Sequence, residues 1–263
     1  MAEGQPVAGK SRMKGNAQGM EIDQLRTFEF YRIAKNYVLT HGYEAEVAWQ
    51  KSLVFASFSE SDLLREASWV ILCSGFREAV VRRSFDFISL CFCDWESAAT
   101  ICKYAEHCEA TALTRFANRR KIRAIIETAQ LLDQIGFEKF KLSVLADPIA
   151  SLKFLPFIGD VTSYHLAKNL GLAAAKPDRH LQRLAAIFGY RGASGLCLDL
   201  SKMSGDSVPV VDLVLWRFAE RNGHKQLTPH LGCSHKCLSL DVNLDRQNIS
   251  AMHIASQHAG VPS

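Results

Sequence analysis

The segment LKFLPFIGDVTSYHLAKNLG, residues 152–171, constrains the fold more than any other stretch. It reads as a helix end, an apolar-Pro-X-apolar-Gly turn and a second amphipathic helix that stops at Gly171. Pro156 is poorly tolerated inside a helix, and Gly159 offers a backbone without Cβ where the chain turns and approaches a neighbour. Leu155 and Ile158 are expected to point inward and pin the two helices. The second helix then opens with amides that have no intrahelical acceptor. Such an end attracts a phosphate, and a contact of that kind grips a nucleic-acid backbone without reading its sequence. The same layout also suits an ordinary αα-turn in a helical core.

The remainder of the chain reads as helical. Met20, Ile22, Leu25, Phe28, Tyr31 and Ile33 recur at roughly helical spacing. A helix is expected over residues 44–56, and Ser59 or Ser61 can cap the next one, which Gly75 would stop. Further helices are expected near 77–90, 95–105, 111–117, 118–134, 137–143 and 207–221. No set of alternating apolar and polar residues suggests a sheet, so the fold class is all-α. Residues 1–20 read as a flexible leader without the apolar core of a secretory signal, and 224–263 as a polar tail. No apolar run is long enough to span a bilayer. Eight cysteines at irregular spacing, with Cys73, Cys91 and Cys102 in apolar stretches, fit buried, reduced thiols in a cytoplasmic protein. In the tail, His230, Cys233, His235 and Cys237 are metal-ligand types, but their spacing is too compressed for a zinc finger, so neither a metal nor a cofactor is expected.

Two features bear on chemistry. Arg115, Arg119, Arg120, Lys121 and Arg123 crowd together in a chain whose net charge is only +4. Such a cluster can neutralise phosphates, or can form a solvated helix face. Seven residues past Gly171 stands Asp178, in AAAKPDRHLQRLA. As the residue that opens a helix, it is stabilised in its ionised form. It can then support positive charge on a sugar or orient a water, although an Asp at a helix start is also a common cap.

Taken together, Leu155, Pro156, Phe157, Ile158 and Gly159, followed about 20 residues on by Asp178 in KPDRHLQR, resemble the helix-hairpin-helix (HhH-GPD) superfamily of base-excision DNA glycosylases. NRRKIRAIIETAQ at 118–130 and VVDLVLWRFAE at 210–220 extend the likeness over about residues 45–221. The resemblance implies a two-lobed helical fold with a cleft between lobes. Its domain would cover 21–223, with an N-terminal lobe of about 21–110 plus 205–223 and a hairpin lobe of about 111–204. It also implies a base flipped from double-stranded DNA into that cleft, with Asp178 in the catalytic role. The DNA backbone would lie against Pro156, Phe157, Gly159, Val161 and Thr162, with Arg119 and Lys121 nearby.

The chain departs from the family pattern at two positions. Phe157 stands where the turn usually has Gly. Val161 stands where bifunctional members carry a lysine that attacks the sugar, which implies base removal by water without strand cleavage. No four-Cys iron–sulfur spacing follows Asp178. Glu66 and Trp69, one helical turn apart, together with Phe76 and Tyr164, are candidates for a base pocket, and cationic alkylated purines are the first expected substrates. The expectation is a monomeric DNA repair hydrolase in the cytoplasm, associated with the nucleoid if prokaryotic. The alternatives are a non-catalytic lesion-binding protein of the same scaffold and a helical interaction protein that ignores DNA.

Overall fold

In the computed structural model the backbone is described for residues 10–222 and the side chains for 24–222. Among these residues there are thirteen α-helices and two short 3₁₀ turns, with no strand. The helices are α1 (Lys10–Thr40), α2 (Glu44–Ser52), α3 (Glu60–Cys73), α4 (Glu78–Cys91), α5 (Ala98–Lys103), α6 (Ala105–Leu113) and α7 (Arg119–Ile135). After them come α8 (Phe137–Ala146), α9 (Pro148–Leu152), α10 (Asp160–Asn169), α11 (Arg179–Ile187), α12 (Ala193–Ser204) and α13 (Val208–Asn222). None is long and apolar enough to cross a membrane.

Two helices are apolar on almost every face, and each becomes the axis of a set of neighbours. In α3, Leu63, Leu64, Ala67, Val70, Ile71 and Leu72 are all buried, and the helix packs against α4, α7 and α10. At about 1.5–3 kcal/mol for each fully buried large side chain, this strip is a principal source of stability. In α13, Val210, Val211, Leu213, Val214, Leu215 and Phe218 play the same part, against α1, α2, α11 and α12. Phe30 of α1 meets Phe218 edge-on at 5.5 Å and Phe188 at 5.1 Å.

Local sequence explains where the helices end. The Ser59 hydroxyl accepts from the Asp62 amide, and the Asp62 carboxylate accepts from the Ser59 amide, closing a capping box on α3. Asn118 caps α7, whose Ile122, Ile125, Ala129 and Leu132 face inward while Arg119, Arg120 and Arg123 face out. Gly171 closes α10 at φ 95, and a Cβ there would lie 2.7 Å from the Phe55 amide nitrogen, so only glycine fits.

Several expectations change. One core runs from Phe58 to Leu170, so the lobe limit placed at 110 falls inside it, because α5 and α6 pack directly on α7. Residues 179–204, assigned to the hairpin lobe, instead pack as α11 and α12 around α13 and each other. Residues 10–20 of the expected leader are the first turns of α1. The helix expected over 95–105 starts only at Ala98, after a turn in which Cys93, Asp94 and Trp95 all take positive φ, from 48 to 63, and it breaks at Tyr104 between α5 and α6. Trp95, buried and stacked 5.3 Å from Phe92, holds that turn in place. The helix expected over 111–117 instead lies at 105–113, and α12 was not anticipated. Cys73, Cys91 and Cys102 are free thiols, as expected, but half-buried. The tail, with His230, Cys233, His235 and Cys237, lies outside the described residues.

Candidate nucleic-acid interface and catalytic carboxylate

The turn between α9 and α10 is anchored from below. Leu155 and Ile158 are buried, and the Ile158 amide donates to the Leu155 carbonyl at 3.1 Å. Phe157 between them takes φ 62, a left-handed conformation that costs a non-glycine residue about 1–2 kcal/mol. Gly159 has negative φ, −109, and a Cβ there would meet nothing within 4 Å. This corrects the sequence reading, since the special backbone falls on Phe157 and no part of the protein crowds Gly159.

The Gly159 amide donates to Thr162 Oγ1 at 2.7 Å. The first intrahelical bond of α10 is Ser163 N–H to the Gly159 carbonyl, 2.9 Å, so the amides of Asp160, Val161 and Thr162 precede it. Gly159, Asp160 and Val161 are exposed and Pro156 is half-buried. The start of α10 therefore carries amides without an intrahelical acceptor on exposed residues, the kind of end that attracts an anion. The Asp160 carboxylate works against this. Lys153 Nζ sits 2.5 Å from it, which holds the Asp160 carboxyl below its ordinary range and the lysine above its own.

The basic cluster divides. Arg115, Arg119, Arg120 and Arg123 are exposed. Arg119 and Arg123 share Glu109, at 3.2 and 3.0 Å, and the Arg120 guanidinium lies 5.6 Å from the Phe157 ring. Lys121 is a correction. Expected at a DNA backbone, it is 4% exposed, and its ammonium donates to the carbonyls of Ile71, Leu72 and Ser74 at the end of α3. A cation there satisfies carbonyls that the helix leaves unpaired, so it has no donors to spare for phosphate.

Asp178 is the N-cap of α11. Its Oδ1 accepts from the amides of His180 and Leu181, at 2.9 and 3.1 Å, and Oδ2 faces Lys176 Nζ at 3.9 Å. The side chain is 12% exposed. One oxygen is committed to the helix, and the other faces a cation. Behind it runs a buried polar chain that the sequence did not reveal. The Lys176 amide donates to Asp212 Oδ2 at 2.7 Å, and Asp212 Oδ1 pairs with Lys168 Nζ at 3.1 Å. Gln50 Nε2 donates to the Lys168 carbonyl at 3.1 Å, and next to it Asn169 Nδ2 donates to Glu66 Oε2 at 2.9 Å. Burial pushes the Asp212 carboxyl up, against Lys168, which pulls it down. His165 is held neutral by burial and by the cations Lys176 and Lys168. The sequence signal for this chain was faint: adjacent Lys168 and Asn169 in a helix, and a lone Asp in the apolar run of α13.

The four residues expected at a base pocket have different partners. Glu66 is buried, tied to Asn169 and to Arg65 at 3.0 Å, and its carboxyl is pushed up chiefly by burial. Trp69 turns toward α4, edge-on to Phe85 at 4.9 Å and under Arg82 at 5.5 Å. Phe76, 42% exposed, leans on Phe116 and stands 5.3 Å from Lys121 Nζ. Tyr164 is half-buried on the hairpin helix, near Lys153. Two cavities lie elsewhere. One of about 410 Å³ is lined by Leu90, Cys91, Cys93, Tyr104, His107 and Cys108. The other, of about 330 Å³, is lined by Phe28, Tyr31, Arg32, Lys35 and Ser204. No protein-family model, curated protein or solved structure matches the chain.

Proposed function

We propose that the chain is a DNA N-glycosylase of the HhH-GPD type, which removes a damaged base from double-stranded DNA. The observation that carries this reading is the arrangement of Asp178: a carboxylate fixed by two helix amides through one oxygen, its other oxygen 3.9 Å from the Lys176 ammonium. In the proposed reaction the amides of Asp160, Val161 and Thr162 at the start of α10 hold the phosphate backbone, and the base leaves a sugar that gains positive charge. The fixed carboxylate stabilises that charge without having to reorganise, and water adds to the sugar. The arginines at 115, 119, 120 and 123 supply further phosphate contacts. The scheme requires no metal or organic cofactor.

A second reading has its own support. Phe157 and Asp160 make the turn bulkier and more acidic than a phosphate grip needs, and an Asp N-cap stabilises a helix without any catalytic duty. That favours a protein that holds DNA without cutting the glycosidic bond. Incubating the chain with duplexes that each carry one defined lesion, and assaying for abasic sites, separates the two. Release from any one lesion supports the enzyme. Tight, salt-dependent binding without release from any lesion supports the binding protein.

A further inference from the structure

Six cysteines lie among the described residues, all of them free thiols. Three of them meet at one place. Cys91, Cys93 and Cys108 line the cavity of about 410 Å³ where the end of α4 packs on α6. Cys108 is 1% exposed, and its thiol is hydrogen-bonded to that of Cys93. Burial, with Cys93 and Cys91 close by, pushes the Cys108 thiol up to about 11. Cys93 is half-buried and is the more accessible of the pair. The backbone explains how the two meet. Cys93, Asp94 and Trp95 take φ 56, 48 and 63, a left-handed run that residues with a Cβ disfavour. Trp95 secures it, stacked on Phe92 at 5.3 Å and donating from Nε1 to Ser89 Oγ at 3.0 Å. Strain of this kind persists only where the surrounding structure enforces it. Here it turns the chain after α4 so that Cys93 stands beside Cys108 of α6.

We propose that Cys93 and Cys108 are an oxidisable thiol pair, which a hydroperoxide converts into a disulfide that clamps the turn after α4 onto α6. The Cys93 sulfur, having lost its proton, attacks the terminal oxygen of the hydroperoxide. The O–O bond breaks, the remaining oxygen takes up a proton and leaves as an alcohol (water, for hydrogen peroxide), and Cys93 becomes a sulfenic acid. The Cys108 sulfur then attacks the Cys93 sulfur. The Cys108 proton and the sulfenic hydroxyl leave as water, and the S–S bond forms. Two thiols give up two electrons and two protons, and the hydroperoxide takes them up as one alcohol and one water. Contact between the two sulfurs offsets the small thiolate fraction that a high pKa leaves on Cys108. Cys91 shares the cavity, but the hydrogen bond selects Cys93 as the partner of Cys108. The closed loop contains α5, so the link restrains the whole segment from 93 to 108. The proposal stands apart from the glycosylase reading, since none of these residues belongs to the hairpin or to the surroundings of Asp178.

The test treats the full folded chain with a small excess of hydrogen peroxide, blocks the remaining thiols with an alkylating agent, and maps the links by peptide mass spectrometry without reduction. The expected result is a peptide pair that joins Cys93 to Cys108 and is lost on adding dithiothreitol. Cys93→Ser should lower the yield of any link to Cys108 at least about tenfold, and Cys91→Ser should leave the link between Cys93 and Cys108 within about twofold. Amide hydrogen exchange over residues 93–108 should slow in the linked chain. The mapping on the unaltered chain decides the matter even where a variant fails to fold. A link from Cys108 to Cys91, a sulfinic acid at Cys93 with no link, or free thiols at both positions under conditions that oxidise glutathione would each overturn the proposal. A link that leaves amide exchange unchanged would overturn the clamp.

Discussion

An acidic side chain at the first position of α10 faces the same solvent as the free amides of the hairpin. Asp160 therefore weakens any phosphate grip at that end, by repulsion that salt screens. Asp160→Asn should tighten binding to undamaged duplex about three- to tenfold at low salt, with the gain shrinking as salt rises. Fluorescence anisotropy at two ionic strengths checks it, and unchanged or weaker binding would remove the turn from the interface. Glu66 gives a prediction in pH. Burial raises its carboxyl pKa above the ordinary 4.5, while Arg65 and Asn169 oppose the rise. Between those two pKa values the folded chain binds more protons than the unfolded one, so stability falls as pH climbs from acid toward neutral. In Glu66→Gln that decline should flatten, as read from urea melts at pH 5 and pH 7. At this scale the sequence was legible where a residue acts through its own backbone. Ser59 and Asp178 cap the helices that their positions suggested. It was not legible for Lys121, whose charge looked like one of five surface cations and is spent on the carbonyls of a helix 47 to 50 residues earlier.

Helix α13 ties the candidate site to the rest of the chain through one side chain. Asp212 is 2% exposed and accepts from the Lys176 amide while pairing with Lys168 of α10. Removing one partner of a buried pair leaves the other charge without compensation, a loss of about 3–5 kcal/mol. Asp212→Ala should show a loss of that order in chemical denaturation, together with weaker activity because the segment 176–178 loses its anchor. A loss under about 1 kcal/mol would mean that the buried pair is dispensable. The periodicity of α13 was plain in the sequence, yet the meaning of one polar residue within it depended on α10, more than forty positions earlier. The partners of the pocket candidates were hidden for a similar reason. Helical spacing puts Glu66 and Trp69 on neighbouring positions of α3, but the partners that surround them, Asn169 for one and Phe85 with Arg82 for the other, set where each side chain goes.

Across the whole molecule, two apolar helices organise the fold, α3 among α4, α7 and α10, and α13 among α1, α2, α11 and α12. Arg217 of α13 is 3% exposed and reaches Glu46 of α2 at 2.6 Å and Glu78 of α4 at 3.2 Å. It therefore bonds directly to both sets. The all-helical class followed from the absence of period-2 patterning. The grouping of helices did not follow, because it depends on which apolar faces meet, and one-dimensional spacing leaves that open. The segment from Lys176 to Asp178 joins α10 of one set to α11 of the other, and the proposed chemistry stands there. The most direct test is single-turnover base release from a panel of lesion duplexes by the unaltered chain and by Asp178→Asn, which keeps a capping side chain and so spares the fold. The account predicts release from at least one lesion, a drop of about a hundredfold or more in the variant, and duplex binding within a few-fold of the original. Equal release by the two proteins, or no release from any lesion while DNA binding persists, would contradict it.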